Sequence, residues 1–271
     1  TQATLSLLEK TKPNVEVFRF PPGGSGSASR PRNKGLELTQ TPYVTYLDPD
    51  NEQVNDTYIR LLDRVKDTGA DFAIGNMVRF KGKRNRINNS KELKKAIAKS
   101  AALDGNNADL LEKLGFKPMS IQALVADTAW LKSLNLEQPV GAVGQDSYFF
   151  QQMLYYARKV SITSRAAHIY YAEISTSTVN AISPKYYRKY LPLEEDRAKW
   201  LEEVGLLRAY QEDRFTQFLE HWYVKKLENV DPDDLDECID LIEEINGIYG
   251  LSEDSNPEIQ RIMDKARALK K

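Results

Sequence analysis

Hydrophobic and polar positions fall into two regimes along the chain. Up to about residue 180, short apolar runs of period two alternate with stretches in which apolar residues recur every three to four positions. In residues 1–12, Leu5, Leu7 and Leu8 precede charged residues as in the last turns of a helix, and Pro13-Asn14 ends it. Residues 15–20 alternate apolar and polar side chains and predict a strand. Residues 30–38 have helical character, and 43–47 predict a buried strand that stops at Asp48-Pro49-Asp50-Asn51. Asn55 or Asp56 can cap a helix running through Val65, Thr68-Gly69 closes it, and 71–80 read as another strand. A polar loop over 81–89 follows, then helices over 92–103 and 109–114 and a strand over 120–125. Beyond these come a helix over 145–157 with apolar residues on one face, and short strands at 160–162 and 169–171.

That alternation predicts an α/β fold with a mixed, mostly parallel sheet. From Ser183 onward strand signals vanish, and residues 184–204, 206–227, 232–246 and 257–269 carry apolar stripes of period 3.6. The chain is therefore expected to divide near residues 180–184 into an α/β domain, 1–182, and a helical module, 183–271. No internal repeat of fixed period occurs.

Composition narrows the function classes. With 271 residues, 41% hydrophobic and 28% charged, the chain can bury a sizeable core, which excludes wholesale disorder. Its 38 basic and 39 acidic side chains give no general attraction to nucleic acid. The single cysteine, Cys238, cannot close an internal disulfide or build a multi-cysteine metal site, as expected of a reducing, cytoplasmic compartment. No apolar run approaches the roughly 20 residues needed to span a bilayer, and residues 1–10 lack a signal-peptide pattern.

Three constellations carry candidate chemistry. Asp48-Pro49-Asp50 places two hard carboxylates at a strand end, suited to Mg²⁺ or Mn²⁺ and, through the ion, to a diphosphate. The same tripeptide at Asp231-Pro232-Asp233 serves as a control, because there it precedes a helical stripe and reads as a helix start. Gly23-Gly24-Ser25-Gly26 ahead of Ser29-Arg30-Pro31-Arg32-Asn33 reads either as an anion cradle with Arg32 as a bidentate phosphate ligand or as a flexible linker; it lacks the ending of a Walker A loop. Asp146, on the first turn of the aromatic-rich helix opening Gly144-Gln145-Asp146, is either a general base or a complement to the helix dipole.

In order and spacing these segments resemble the family 2 glycosyltransferases of GT-A fold. The similarity spans about residues 1–180: the 15–20 strand, the glycine loop, the Arg32-Asn33 helix, the strand ending in Asp48-Pro49-Asp50, Gly144-Gln145-Asp146, and a closing strand with a Ser/Thr loop at 166–177. The resemblance implies a GT-A-like mixed sheet flanked by helices, a UDP-linked donor, and inverting transfer to a hydroxyl of a glycan, teichoic acid or glycoprotein. Asp50 would then hold Mn²⁺ or Mg²⁺, Asp48 would support the donor or metal shell, Arg32 would lie toward the diphosphate, and Asp146 would deprotonate the acceptor. The C-terminal helices would position the acceptor or make an oligomer contact.

Three departures bear on that expectation. The family's opening strand, helix and second strand, with most of its base contacts, have no counterpart in a sequence that starts in the helix before Val15, so transfer is expected of a protein that supplies them. Gln145 stands where the family often has Glu, and the Arg often found ahead of Ser175-Thr176-Ser177 is absent. A non-catalytic sugar- or glycoprotein-binding module on the same scaffold is the alternative. A metal-dependent phosphohydrolase would need more carboxylates or histidines nearby. The basic run 81–86 reads as a solvated loop or as a contact for an anionic acceptor such as a teichoic acid or phosphorylated glycan, His168 as a packed strand-edge residue, His221 as part of an amphipathic helix, and Trp130 and the aromatics at 148–150 as core or as rings that stack on a sugar. Trp200, Trp222 and Tyr223 are expected to hold the helical module together.

Overall fold

The computed structural model describes residues 2–21, 27–54, 56–172, 182–250 and 256–270. The glycine loop 23–26, Asn55, the Ser/Thr loop 175–177 and residues 180–181 of the expected domain boundary lie outside the described residues.

Helix α1 (Gln2–Thr11) ends at Lys12-Pro13, as its sequence predicts. Residues 15–20 are extended but join no sheet. Their alternation serves packing instead: Phe18 and Phe20 meet edge to face at 5.0 Å, with Lys34 and Arg30 over their rings. Helix α2 (Ser29–Leu38) follows, then β1 (Tyr43–Val44), β2 (Glu52–Gln53) and α3 (Thr57–Thr68). Helix α3 buries Thr57, Leu61 and Val65, one per turn, and stops at Gly69, whose φ of 62° suits a residue without Cβ.

Strands β3 (Phe72–Lys81) and β4 (Lys83–Ile87) form a hairpin. The expected polar loop over 81–89 is thus mostly a strand, hidden from pattern reading because all five of its residues are exposed. Helices α4 (Asn89–Ile97) and α5 (Ala108–Leu114) lead to a 3₁₀ turn, Ile121–Ala123, and to β5 (Leu124–Asp127), so the expected 120–125 strand is half turn. After α6 (Thr128–Ser133) comes α7 (Gln145–Tyr156), which buries residues nearly all round rather than on one face and is a central helix. Strand β6 (Val160–Tyr171) is a single strand of 12 residues where two short ones were expected.

The six-stranded sheet has the order β1-β5-β3-β6-β2, with β4 paired to β3. It is mixed, but contrary to expectation mostly antiparallel: only β3 and β6 run parallel, and every other pair is antiparallel. β1 is a two-residue edge strand, not a buried one. The β3–β6 register shifts around Gly75, where a Cβ would lie 2.8 Å from the Arg165 carbonyl oxygen. Glycine there permits the irregularity.

The remaining described chain is helical. Helices α8 (Pro184–Arg188) and α9 (Leu191–Glu203) are followed by α10 (Leu207–Tyr210), a π turn at Gln211–Phe215, α11 (Thr216–Phe218), a second π turn at Leu219–Tyr223 and a 3₁₀ stretch at Val224–Asn229. Helices α12 (Leu235–Ile248) and α13 (Pro257–Arg267) close it. Asp231-Pro232-Asp233 forms a turn just before α12, with Asp231 accepting from the Asp233 amide at 3.0 Å, rather than the first helical turn.

One hydrophobic core runs from Leu36 to Ala266. Trp200 of α9 packs edge to face on Tyr148 and Tyr155 of α7, so this tryptophan joins the helices to the sheet's central helix as well as to one another. Tyr148, Phe149 and Phe150 are buried, Trp130 stacks on Phe72, and Tyr223 is fully enclosed, as expected of core residues. Cys238 is a buried free thiol. Among the described residues no helix is long and apolar enough to cross a membrane.

Candidate active site

The Asp48-Pro49-Asp50 turn projects from β1 toward α2, and the two bound a cleft of about 630 Å³ that Arg32, Tyr46, Asp48 and Asp50 line. Arg32 Nη2 donates to both Asp48 oxygens, at 2.8 and 2.6 Å, and Nε donates to Oδ1 at 3.2 Å. Its remaining nitrogen, Nη1, donates to Gln138 Oε1 at 3.2 Å. Gln122 holds the turn from below: its Oε1 accepts from the Asp48 amide at 2.8 Å, and its Nε2 donates to Asp48 Oδ2 at 3.0 Å. Asp48 therefore has both oxygens engaged, and Arg32 faces a carboxylate rather than open cleft. Asp50 is exposed.

The second half of the site arrives on α7. Asn33 clasps Gln138 in both directions, donating to its carbonyl and accepting from its amide at 2.9 Å each. Ser29 Oγ donates to the Pro139 carbonyl at 2.5 Å. These bonds pin the segment leading into α7 to α2. Gly144, with φ of 76°, then turns the chain into the helix, and Asp146 stands on its first turn.

Burial raises the Asp146 pKa, Arg32 opposes that shift, and Asp48 adds to it. Burial works against the Arg32 charge, yet the Asp146 and Asp48 carboxylates outweigh it and raise its pKa. Burial raises the Tyr170 phenol, Arg79 opposes this, and Asp146, Asp50 and Asp48 all push further upward. Asp146 and the sequence-distant Asp48-Pro49-Asp50 turn thus act on one tyrosine.

Sequence reading missed the residues that hold this arrangement. Gln122 and Gln138 are single buried polar residues, and Gln122 sits within an apolar run that reads as a strand. His168 is packed but not at an edge: β6 pairs with β3 on one side and β2 on the other. It is fully buried, with both ring nitrogens lacking a hydrogen-bond partner, and burial lowers its pKa to about 4 against a small upward pull from Asp48. His221 is exposed, and Nδ1 lies 3.1 Å from the Gln217 carbonyl. The basic run Lys83-Arg84-Asn85-Arg86 lies on the exposed strand β4.

A divalent cation fits this donor set in one way. Among the described residues no three His, Cys, Asp or Glu side chains converge to hold a metal by themselves. Asp48 is spent on Arg32 and Gln122, which leaves Asp50 as the open carboxylate of the turn. Mg²⁺ commonly takes one or two protein carboxylates and completes its shell with substrate phosphates and water. The residues fit an ion carried in with a diphosphate.

Comparison with known proteins bears on the fold that carries this cleft. The sequence model of glycosyl transferase family 2 matches residues 1–117. The crystal structure of S. aureus TarS 1-349 in complex with UDP-GlcNAc superimposes with a TM-score of 0.59 at 18% identity, covering 100% of this chain and 78% of that one. TarS 1-349 in complex with UDP gives 0.60 at 18% identity with the same coverage. The crystal structure of S. aureus TarS gives 0.53 at 19% identity and covers 47% of that chain. No match was found among curated proteins. The fold is that of a GT-A protein, and the resemblance to family 2 glycosyltransferases read from the motifs is borne out.

Proposed function

We propose that the chain forms the catalytic part of an inverting glycosyltransferase that moves a sugar from a UDP-linked donor to an acceptor hydroxyl on a glycan, teichoic acid or glycoprotein. The observation that carries this reading is the gathering of Asp146, Asp48 and Arg32, with Asp50 at the rim of the same cleft. The matched family and the UDP and UDP-GlcNAc bound by the TarS structures support the donor class.

In this mechanism the acceptor oxygen attacks the anomeric carbon while its proton passes to an Asp146 carboxylate oxygen. The bond from that carbon to the diphosphate oxygen breaks, and the nucleoside diphosphate leaves with the electron pair, so a single displacement inverts the centre. Burial raises the Asp146 pKa and so strengthens it as a base. Asp50 would bind Mn²⁺ or Mg²⁺ together with the diphosphate, and the ion would neutralise charge growing on the leaving group. Arg32 fixes Asp48 in place beside the same cleft. We assign this chemistry to a unit spanning 1–182 in the cytoplasm, with the helices of 183–271 positioning the acceptor or making an oligomer contact.

The occupied Arg32, with no three-ligand metal group among the described residues, favours the alternative, a non-catalytic sugar- or glycoprotein-binding module. Calorimetry with UDP, with and without Mn²⁺, separates the two. Transfer chemistry predicts a metal-dependent heat that Asp50→Asn removes. A wild-type protein giving no metal-dependent heat is the binding module.

A further inference from the structure

The β3–β4 hairpin concentrates positive charge in a chain whose net charge is -1. Arg79, Lys81, Lys83, Arg84 and Arg86 fall within eight residues, and neither strand carries a carboxylate. All five cations are exposed, and none forms an ion pair among the described residues. Arg86 donates to the Ser164 carbonyl, which fastens β4 to the body of the sheet.

Strand register sorts these cations by face. Arg79 stands opposite Asn85 and Lys81 opposite Lys83, whereas Val78 stands opposite Arg86 and Phe80 opposite Arg84. Opposed residues share a face and successive ones alternate, so Arg79, Lys81 and Lys83 form a row on one side while Arg84 and Arg86 lie on the other. On β6 the first side continues into Tyr170, the direct partner of Arg79. Beyond the effect of burial, Tyr170 is acted on by Arg79 from one direction and by Asp146, Asp50 and Asp48 from the other. The row therefore leads from the hairpin tip to the candidate active site. The opposite side carries Phe80 and Tyr171, whose rings meet at 5.7 Å, and the bond from Tyr171 to Glu52.

Protection of a sheet edge accounts for only part of this charge. Cations on an edge strand hinder pairing with another chain, which explains those on β4. Arg79 sits on an interior strand, with β4 on one side and β6 on the other. Lys81 and Lys83 are like charges directly opposed, an arrangement that destabilises a strand pair and that an anionic ligand would relieve. The same repulsion disfavours a second copy of the chain against this edge. Alternate residues of a strand lie ~7 Å apart, so the row offers a track for successive charges rather than a socket for one ion.

We propose that the cleft-facing side of the β3–β4 hairpin binds a polymer bearing repeated anionic groups through Arg79, Lys81 and Lys83. Resting on the glycosyl-transfer reading, this polymer is the acceptor, and the row leads one of its hydroxyls toward Asp146. The acceptor class thereby narrows to a polyanionic chain.

The test titrates inorganic polyphosphate into the protein, with dextran as the neutral control, and follows calorimetric heat. Polyphosphate should saturate, and its affinity should fall at least about tenfold between about 50 and 300 mM salt, while dextran gives no heat. Arg79→Gln with Lys81→Gln should weaken polyphosphate binding at least about tenfold. Arg84→Gln with Arg86→Gln removes equal charge from the other side and should weaken it less than about threefold. Unfolding midpoints establish that both variants fold. Equal losses from the two variants, no saturation below about 1 mM polyphosphate, or tighter binding to phosphatidylglycerol vesicles or to a single-stranded oligonucleotide overturns the proposal. The heat of UDP with Mn²⁺ should be unchanged by Arg79→Gln with Lys81→Gln; its loss there would put the row in the donor site and overturn the acceptor assignment. A wild-type protein that binds polyphosphate as expected but not UDP would sink the donor reading and leave the polyanion surface standing.

Discussion

Two arginine–carboxylate pairs organise two regions of the molecule, and their surroundings give them different work. In the helical region Arg197 and Glu194 are sealed, with side chains 5% and 0% exposed. Glu194 also accepts from the hydroxyls of Tyr223 and Tyr249, and Arg197 donates to Tyr210, so one ion pair braces four segments. At the cleft, Arg32 and Asp48 are 9% and 29% exposed, and their partners Gln138 and Gln122 sit on segments that frame a cavity. Where solvent is excluded and every oxygen is matched, the pair cross-links structure. Where one edge stays open, the pair is only partly shielded from solvent and fixes the position of a carboxylate at the cleft.

The sharpest break of this symmetry is at Asp146, the carboxylate that Arg32 faces in addition to Asp48. Asp146→Asn is expected to lower turnover by about 10²–10⁴-fold, the range for removing a general base. It should leave the unfolding midpoint unchanged or raised, because burial already disfavours the charged form. Wild-type turnover in this variant would remove Asp146 from the chemistry.

The brace should respond the other way round. Glu194→Gln leaves the Arg197 guanidinium buried without a counter-charge and is expected to cost about 3–5 kcal/mol in urea unfolding. A loss below 1 kcal/mol would show that the tyrosines alone sustain the cluster.

Acid tests the sheet between the two pairs. The pKa of His168 is lowered from 6.5 to about 4 in the folded protein. Between those values the unfolded chain takes up a proton that the native state refuses, so stability is full above pH 6.5 and falls as pH drops toward 4. The shift corresponds to about 3 kcal/mol. Asp146, whose pKa is raised, contributes with the opposite sign, since its native form gains a proton first as pH falls. His168→Gln should flatten the decline between pH 6.5 and 4; an unchanged slope would assign the acid sensitivity elsewhere.

The smallest effect is expected at the open pair. Arg32→Gln should cost about 1–2 kcal/mol, well below Glu194→Gln, because Asp48 keeps Gln122 and gains water. Equal losses from the two variants would erase the distinction between brace and site.

Several features were legible because their signals are local. α2, α3, α5 and α7 begin and end near the residues expected of them, and Arg32 and Asp146 stand near the starts of α2 and α7, whereas Asp48 lies four residues past the short strand expected to end at it. The features that escaped depend on partners. Residues 15–20 alternate as a strand does, but alternation specifies a face, and here the aromatic face packs with Arg30 and Lys34 while no strand lies alongside. β4 lacks alternation because none of it is buried, and its pairing with β3 supplies what its side chains do not. The antiparallel bias of the sheet follows from pairings between strands far apart in sequence, which no window of residues contains. Gln122 acts through two hydrogen bonds to Asp48 and Gln138 through one from Arg32, and one glutamine in an apolar or loop segment carries no pattern.

The clasp between Asn33 and Gln138 has a mechanical consequence. Bonds in both directions, joined by Ser29 to Pro139, make the arginine-bearing helix and the approach to the Asp146 helix travel as one piece. The width of the cleft is then governed by a single hinge-like coordinate, the spacing of that piece from the aspartate turn anchored on Gln122. Anything that loosens the clasp would admit a second, independent movement and blur the spacing of Asp146 from Arg32 and Asp48.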